Sequence, residues 1–77
     1  MEEFLRYVIR HLAEFPDEVV ITRTESPSGV VFHLAARPSD VPRIVGRNGH
    51  TLRALRTLLS ASAAKRGQSA SLVVLDS

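Results

Sequence analysis

Apolar residues first recur with helical spacing. Phe4, Leu5, Val8, Ile9 and Leu12 fall on one stripe of a helix over residues 3–14. Glu2 and Glu3 suit the partial positive charge at its start. Phe15-Pro16-Asp17 ends it, because a proline ring disfavours helical backbone at the residue before it. The period then changes. Residues 18–25 are rich in β-branched side chains (Val19, Val20, Ile21, Thr22, Thr24), Ser26-Pro27-Ser28-Gly29 reads as a turn, and residues 30–36 read as the returning strand of a hairpin. Pro38-Ser39-Asp40 offers a helix start, with Asp40 or Ser39 as the capping side chain and Pro42 tolerated in the first turn. Gly46 keeps that helix short. From His50 to Arg66 a second helical pattern runs unbroken. Leu52, Leu55, Leu59 and Ala63 form its buried stripe, Arg53 lies on the far side, Arg56 flanks the stripe, and Gly67 ends it. Residues 70–75 make a last strand.

The element order is therefore α-β-β-α-α-β. The first two strands form an antiparallel hairpin, and the passage through two helices sets the last strand parallel to its neighbour. The expected fold class is α+β: a three-stranded mixed sheet with three helices packed on one face, in a single domain over residues 1–77. Chains of this length bury small cores, and dimerisation is one way to supplement them.

Between the short and the long helix stands Ile44-Val45-Gly46-Arg47-Asn48-Gly49-His50-Thr51-Leu52. The two glycines allow a sharp turn with no Cβ in the way. Their amides, with those opening the next helix, are expected to point outward at an anion, and Arg47 adds a cation. The Gly-Lys-Ser/Thr tail of a nucleotide P-loop is missing, so the expected anion is a nucleic-acid backbone rather than a nucleoside triphosphate.

Charge sharpens this reading. The net charge is +2, yet residues 1–40 carry seven acids against four arginines, whereas residues 41–75 carry Arg43, Arg47, Arg53, Arg56, Lys65 and Arg66 and no acid. A polyanion would meet the C-terminal half. A merely solvated helix face is the bland alternative, and a complete absence of acids is unusual for one. The chain has no cysteine, which removes disulfides, thiolate metal sites and cysteine nucleophiles together. His11, His33 and His50 are not spaced for a metal, and neither a nucleophile–base–acid set nor paired carboxylates appear in the basic half. No enzyme and no cofactor are expected. Met-Glu-Glu-Phe is acidic and does not read as a signal peptide, and no apolar run approaches the roughly 18 residues of a membrane span. The expected location is the cytoplasm.

The loop and its flanks resemble the K-homology (KH) signature Val-Ile-Gly-x-x-Gly-x-x-Ile, with Leu52 at the last position. The element order, with a helix and strand added at the N-terminus, resembles the bacterial type II KH arrangement. The Met-Glu-Glu-Phe-Leu-Arg-Tyr-Val helix and the segment His50-Thr51-Leu52-Arg53-Ala54-Leu55-Arg56-Thr57 are similar to the small single-domain bacterial RNA-binding KH proteins of the KhpA family. The resemblance implies a loop that clamps about four nucleotides of single-stranded RNA backbone. Gly46 and Gly49 would permit close approach, Arg47 would supply charge, and Asn48 would leave room. The groove floor would draw on Val41, Ile44, Val45 or Leu52, some of which must serve the core. Arg43, His50 and Arg53 are candidates for flanking contacts. The implied role is an RNA chaperone or post-transcriptional regulator that pairs with itself or with a second KH protein of the Jag/KhpB type. Leu58, off the main stripe, suits either rim packing or such a contact. Rival readings are a protein-interaction module with a vestigial loop, a ribosome-assembly factor, and a single-stranded DNA binder. Tyr7, Phe4, Phe15 and Phe32 all lie away from the loop, so aromatic base stacking is not expected.

Overall fold

The computed structural model describes residues 2–75. Helix α1 (Glu2–Leu12) buries Leu5 and Ile9. Strand β1 (Val20–Ser26) pairs antiparallel with β2 (Gly29–Ala35), Val20 opposite Ala35 and Ser26 opposite Gly29. Helix α2 (Val41–Val45) and helix α3 (His50–Ala64) lead to β3 (Ser69–Val74), which pairs parallel with β2. The sheet order is β1-β2-β3, so the returning hairpin strand is central, as the element order implies.

Alternation along β2 sorts its side chains. Val30, Phe32 and Leu34 point to one face and are buried, while Val31, His33 and Ala35 point to the other and stay half-exposed. Leu72 of β3 joins the buried face. Against it pack Leu5 and Ile9 of α1, Ile44 of α2, and Leu55 and Leu59 of α3, so all three helices share one core on one side of the sheet. α3 ends at Ala64, two residues before the Arg66 limit of the helical pattern. The Gln68 N–H donates to Ala63 O at 3.0 Å and the Gly67 N–H to Ala64 O at 3.0 Å, a Schellman pair with Gly67 at φ 69°.

Two differences from the sequence pattern fall at the junction of α1 and β1. α1 ends at Leu12 rather than residue 14, and residue 18 lies in a 3-10 turn (Pro16–Glu18) rather than in a strand. The Ala13 N–H still donates to Ile9 O at 3.0 Å. The next two N–H groups do not continue the helix: Glu14 and Phe15 donate to the Asp40 carboxylate at 3.0 and 2.9 Å. Asp40, expected with Ser39 as the capping candidates for the short helix, makes no cap bond to α2. It ends a 3-10 turn (Pro38–Asp40), and its side chain is fully buried against the junction of α1 and β1. Arg43 Nε lies 3.7 Å from one carboxylate oxygen. Arg37 covers the Phe15 ring at 3.9 Å and pairs with Glu18 at 3.2 Å, which closes the junction from outside.

Burial alone would push the Asp40 carboxyl pKa up. Burial is the largest single influence, but the two backbone N–H donors and the positive charges of Arg43 and Arg37 together outweigh it and hold the group below its ordinary value of 3.8. A carboxyl depressed in the folded state contributes stability above its unfolded pKa, and that contribution is lost as pH falls through the folded value. Asp40→Asn is therefore expected to lower the thermal midpoint by a constant amount between pH 5 and 7. The gap to the natural protein should narrow below about pH 4, as followed by circular dichroism melts across pH. A gap that does not change with pH would mean that the charge on Asp40 contributes nothing.

Candidate nucleic-acid interface

α2 is only five residues long and ends directly in the loop. Its Ile44 is fully buried in the core, which removes that residue from the candidate binding surface where the sequence had placed it. Val41 and Val45 on the same helix and Leu52 on α3 are half-buried, and they remain as the apolar flank of the loop.

The two loop glycines turn out to be required for different reasons. Gly46 sits at φ 78°, ψ 173°, and a Cβ there would overlap Thr51 Oγ1 and lie 2.8 Å from Thr51 Cβ. Gly46 is thus a close approach within the chain. Gly49 sits at φ 74°, ψ 13°, and nothing lies within 4 Å of where its Cβ would be. That open space borders the outside of the loop. Between them Asn48 also takes a left-handed conformation (φ 56°, ψ 24°), which Asn tolerates better than most residues.

The amides are arranged otherwise than the glycine pattern suggests. The Gly46 N–H donates to Pro42 O at 2.9 Å, the Gly49 N–H to Gly46 O at 3.1 Å, and the His50 N–H to Arg47 O. These three donors hold the loop shut and do not point at a ligand. Among the described residues, the N–H groups of Arg47 and Asn48 have no backbone acceptor, and both residues are exposed. They are the main-chain donors of the loop that its own closure leaves unused.

The cations divide in the same way. Arg43 is half-committed: it pairs with Glu14 at 3.3 Å and approaches Asp40. Arg56 donates from Nε to Leu72 O at 3.1 Å and so covers the outer edge of β3. Arg47 and Arg53, with Lys65 and Arg66 further along, form no ion pair among the described residues. His50 and Arg53 are exposed on α3 and line a shallow open depression with Ala54, Thr57 and Leu58. The free positive charge thus runs from the loop along α3. No group of three His, Asp or Glu side chains able to hold a metal occurs among the described residues, and none of their helices is long and apolar enough to cross a membrane.

A helix–Gly-x-x-Gly–helix unit laid on a sheet of this order matches the family model "KhpA/KhpB, KH domain" over residues 2–74. The chain belongs to the KhpA/KhpB KH-domain family. It is similar to the RNA-binding protein KhpA of Oceanobacillus iheyensis, 39% identical over 62 residues that cover 80% of this chain and 83% of that protein. The KhpA of Chlamydia pneumoniae is 33% identical over 76 residues, 99% of this chain and 97% of the relative. That of Borreliella burgdorferi is 36% identical over 74 residues, 96% and 90% of the two chains. No solved structure matches significantly.

In this KH chain the asymmetry of the glycines has a measurable consequence. Gly49→Ala is expected to cost about 1 kcal/mol, the strain of a left-handed alanine alone. Gly46→Ala adds the collision with Thr51 and is expected to cost about 3 kcal/mol. Urea unfolding of the two variants checks the order; equal costs would mean that the loop relaxes away from Thr51.

Proposed function

We propose that the protein binds single-stranded RNA through Gly46-Arg47-Asn48-Gly49 as a cytoplasmic RNA chaperone or post-transcriptional regulator, with residues 1–77 acting as one KH unit. The observation that carries this is the exposed pair of main-chain donors at Arg47 and Asn48, beside open space at Gly49 and unpaired cations on α3. Such a loop donates its N–H groups to phosphate oxygens while Arg47 neutralises charge, and Gly49 lets the sugar–phosphate chain approach without meeting a Cβ. Val45, Val41 and Leu52 offer an apolar flank for bases, with His50, Arg53 and, once released from Glu14, Arg43 at the margins. The relatives carry the name RNA-binding protein, which supports RNA over other polyanions. Recognition of this kind engages few nucleotides, so affinity from one copy is modest and a second KH unit would raise it by avidity. Pairing with another copy or with a Jag/KhpB-type protein would supply that unit, and Leu58, a large apolar side chain 52% exposed on α3, offers it a contact.

The test is fluorescence anisotropy with a labelled random single-stranded RNA. The Arg47→Asp/Asn48→Asp variant, shown folded by circular dichroism, is expected to bind at least about tenfold more weakly, and its log–log salt slope to fall by about one. Equal binding by the two proteins would reject the loop as the clamp.

A further inference from the structure

The Asp40 side chain is fully buried and charged, and it lies at the start of the five-residue helix that ends in the loop. Its two strong partners are backbone donors more than twenty residues away in sequence, at Glu14 and Phe15. A helix of five residues rises only about 7.5 Å, so a change of tilt at Asp40 reaches Gly46 with little slack. The connection is also bonded throughout. Glu14 and Phe15 hold the Asp40 carboxylate, Pro42 O two residues on accepts the Gly46 N–H at 2.9 Å, and Gly46 O accepts the Gly49 N–H at 3.1 Å. Ile44, the fourth of its five residues, seats the loop end of α2 in the core, and Asp40 ties down its start.

We infer that Asp40 is a positioning residue for RNA binding: by fixing the first turn of α2 to the α1–β1 junction, its carboxylate sets where the Arg47 and Asn48 donors stand. This inference rests on the RNA-clamp reading for its effect on affinity, but not for its effect on the loop. It also predicts a sign opposite to that of simple electrostatics. Asp40 is a negative charge beside the candidate site and lies 3.7 Å from Arg43. Arg37 and Arg43 are the cations that face it, and the Glu14 carboxylate sits on the far side of Arg43. If Asp40 acted only through its charge, neutralising it would release Arg43 and strengthen the hold on a polyanion. A positioning role requires the reverse.

The experiment compares four variants with the natural protein by anisotropy on random single-stranded RNA, at 10 °C with folding confirmed by circular dichroism. Asp40→Asn is expected to weaken binding about five- to tenfold, because the amide places an N–H group against the two N–H donors. Asp40→Glu keeps the charge but displaces it by a methylene, so it should weaken binding to a lesser degree, and it carries the test if Asp40→Asn does not fold. Glu14→Gln keeps the backbone donor and should hold or gain affinity. Phe32→Leu, a core change in β2 away from the loop, should leave affinity unchanged when folded. Unchanged or tighter binding by both Asp40 variants overturns the inference, as does an equal loss in Phe32→Leu. Two-dimensional amide NMR of the folded Asp40 variants separates this from the fate of the clamp. If the natural protein does not bind RNA, displaced Gly46, Asn48 and Gly49 resonances still uphold the positioning role, and unmoved ones overturn it.

Discussion

A helix of five residues has almost no stability of its own, because it closes barely more than one turn of hydrogen bonds. α2 therefore stands where its neighbours put it, and the candidate site depends on that. The buried carboxylate of Asp40 joins its start to the backbone of Glu14 and Phe15, and Ile44 seats its loop end in the core. The same two bonds end α1, since the N–H groups they use would otherwise extend that helix. One ionised group thus sets where α1 stops, where β1 can begin and where the loop after α2 is held. Leaving such a group unpaired in the interior would be costly, and here no described buried side-chain atom lacks a partner.

Charge is partitioned around this junction rather than spread over the surface. The N-terminal half pairs most of its acids: Glu2 with Arg6 and Arg23, Glu25 with Arg23, Glu18 with Arg37, and Glu14 with Arg43 across to the C-terminal half. Arg43 is the only cation of the C-terminal half drawn into these pairs among the described residues. Exposed pairs of this kind contribute little to stability. Their larger effect is on the field, because they leave the positive potential concentrated at Arg47, Arg53 and the end of α3.

The elements were legible because they follow local rules. The stripe of α1, the β-branched hairpin, the glycine stop of α3 and the parallel return of β3 can all be read from period, turn chemistry and connection length. What could not be read was set by contacts distant in sequence. Asp40 has the residue type and position of a helix cap, and local reasoning assigns it that role. Its actual donors lie at residues 14 and 15, and no local pattern announces them. Ile44 and Val45 are both apolar neighbours of the loop, and only the rotation of a five-residue helix decides that Ile44 is the buried one. Likewise the glycines were legible as a turn, but which amides the turn consumes depends on its closure onto Pro42 and Arg47.

That closure changes what a Gly-x-x-Gly loop means physically. Glycine is commonly credited with offering its own amide to a phosphate, yet both glycine N–H groups here are spent inside the chain. The loop gains by this. Donors already bonded within it keep its shape without a ligand, so in the proposed clamp the exposed N–H groups of Arg47 and Asn48 would need little ordering on binding, and less binding energy would be lost to entropy. Gly46 permits the tight contact with Thr51 that makes the shape, and Gly49 keeps the approach clear. In the proposed clamp the residues between the glycines, rather than the glycines themselves, would hold the groups that meet the ligand, and the left-handed backbone at Asn48 limits which side chains fit there.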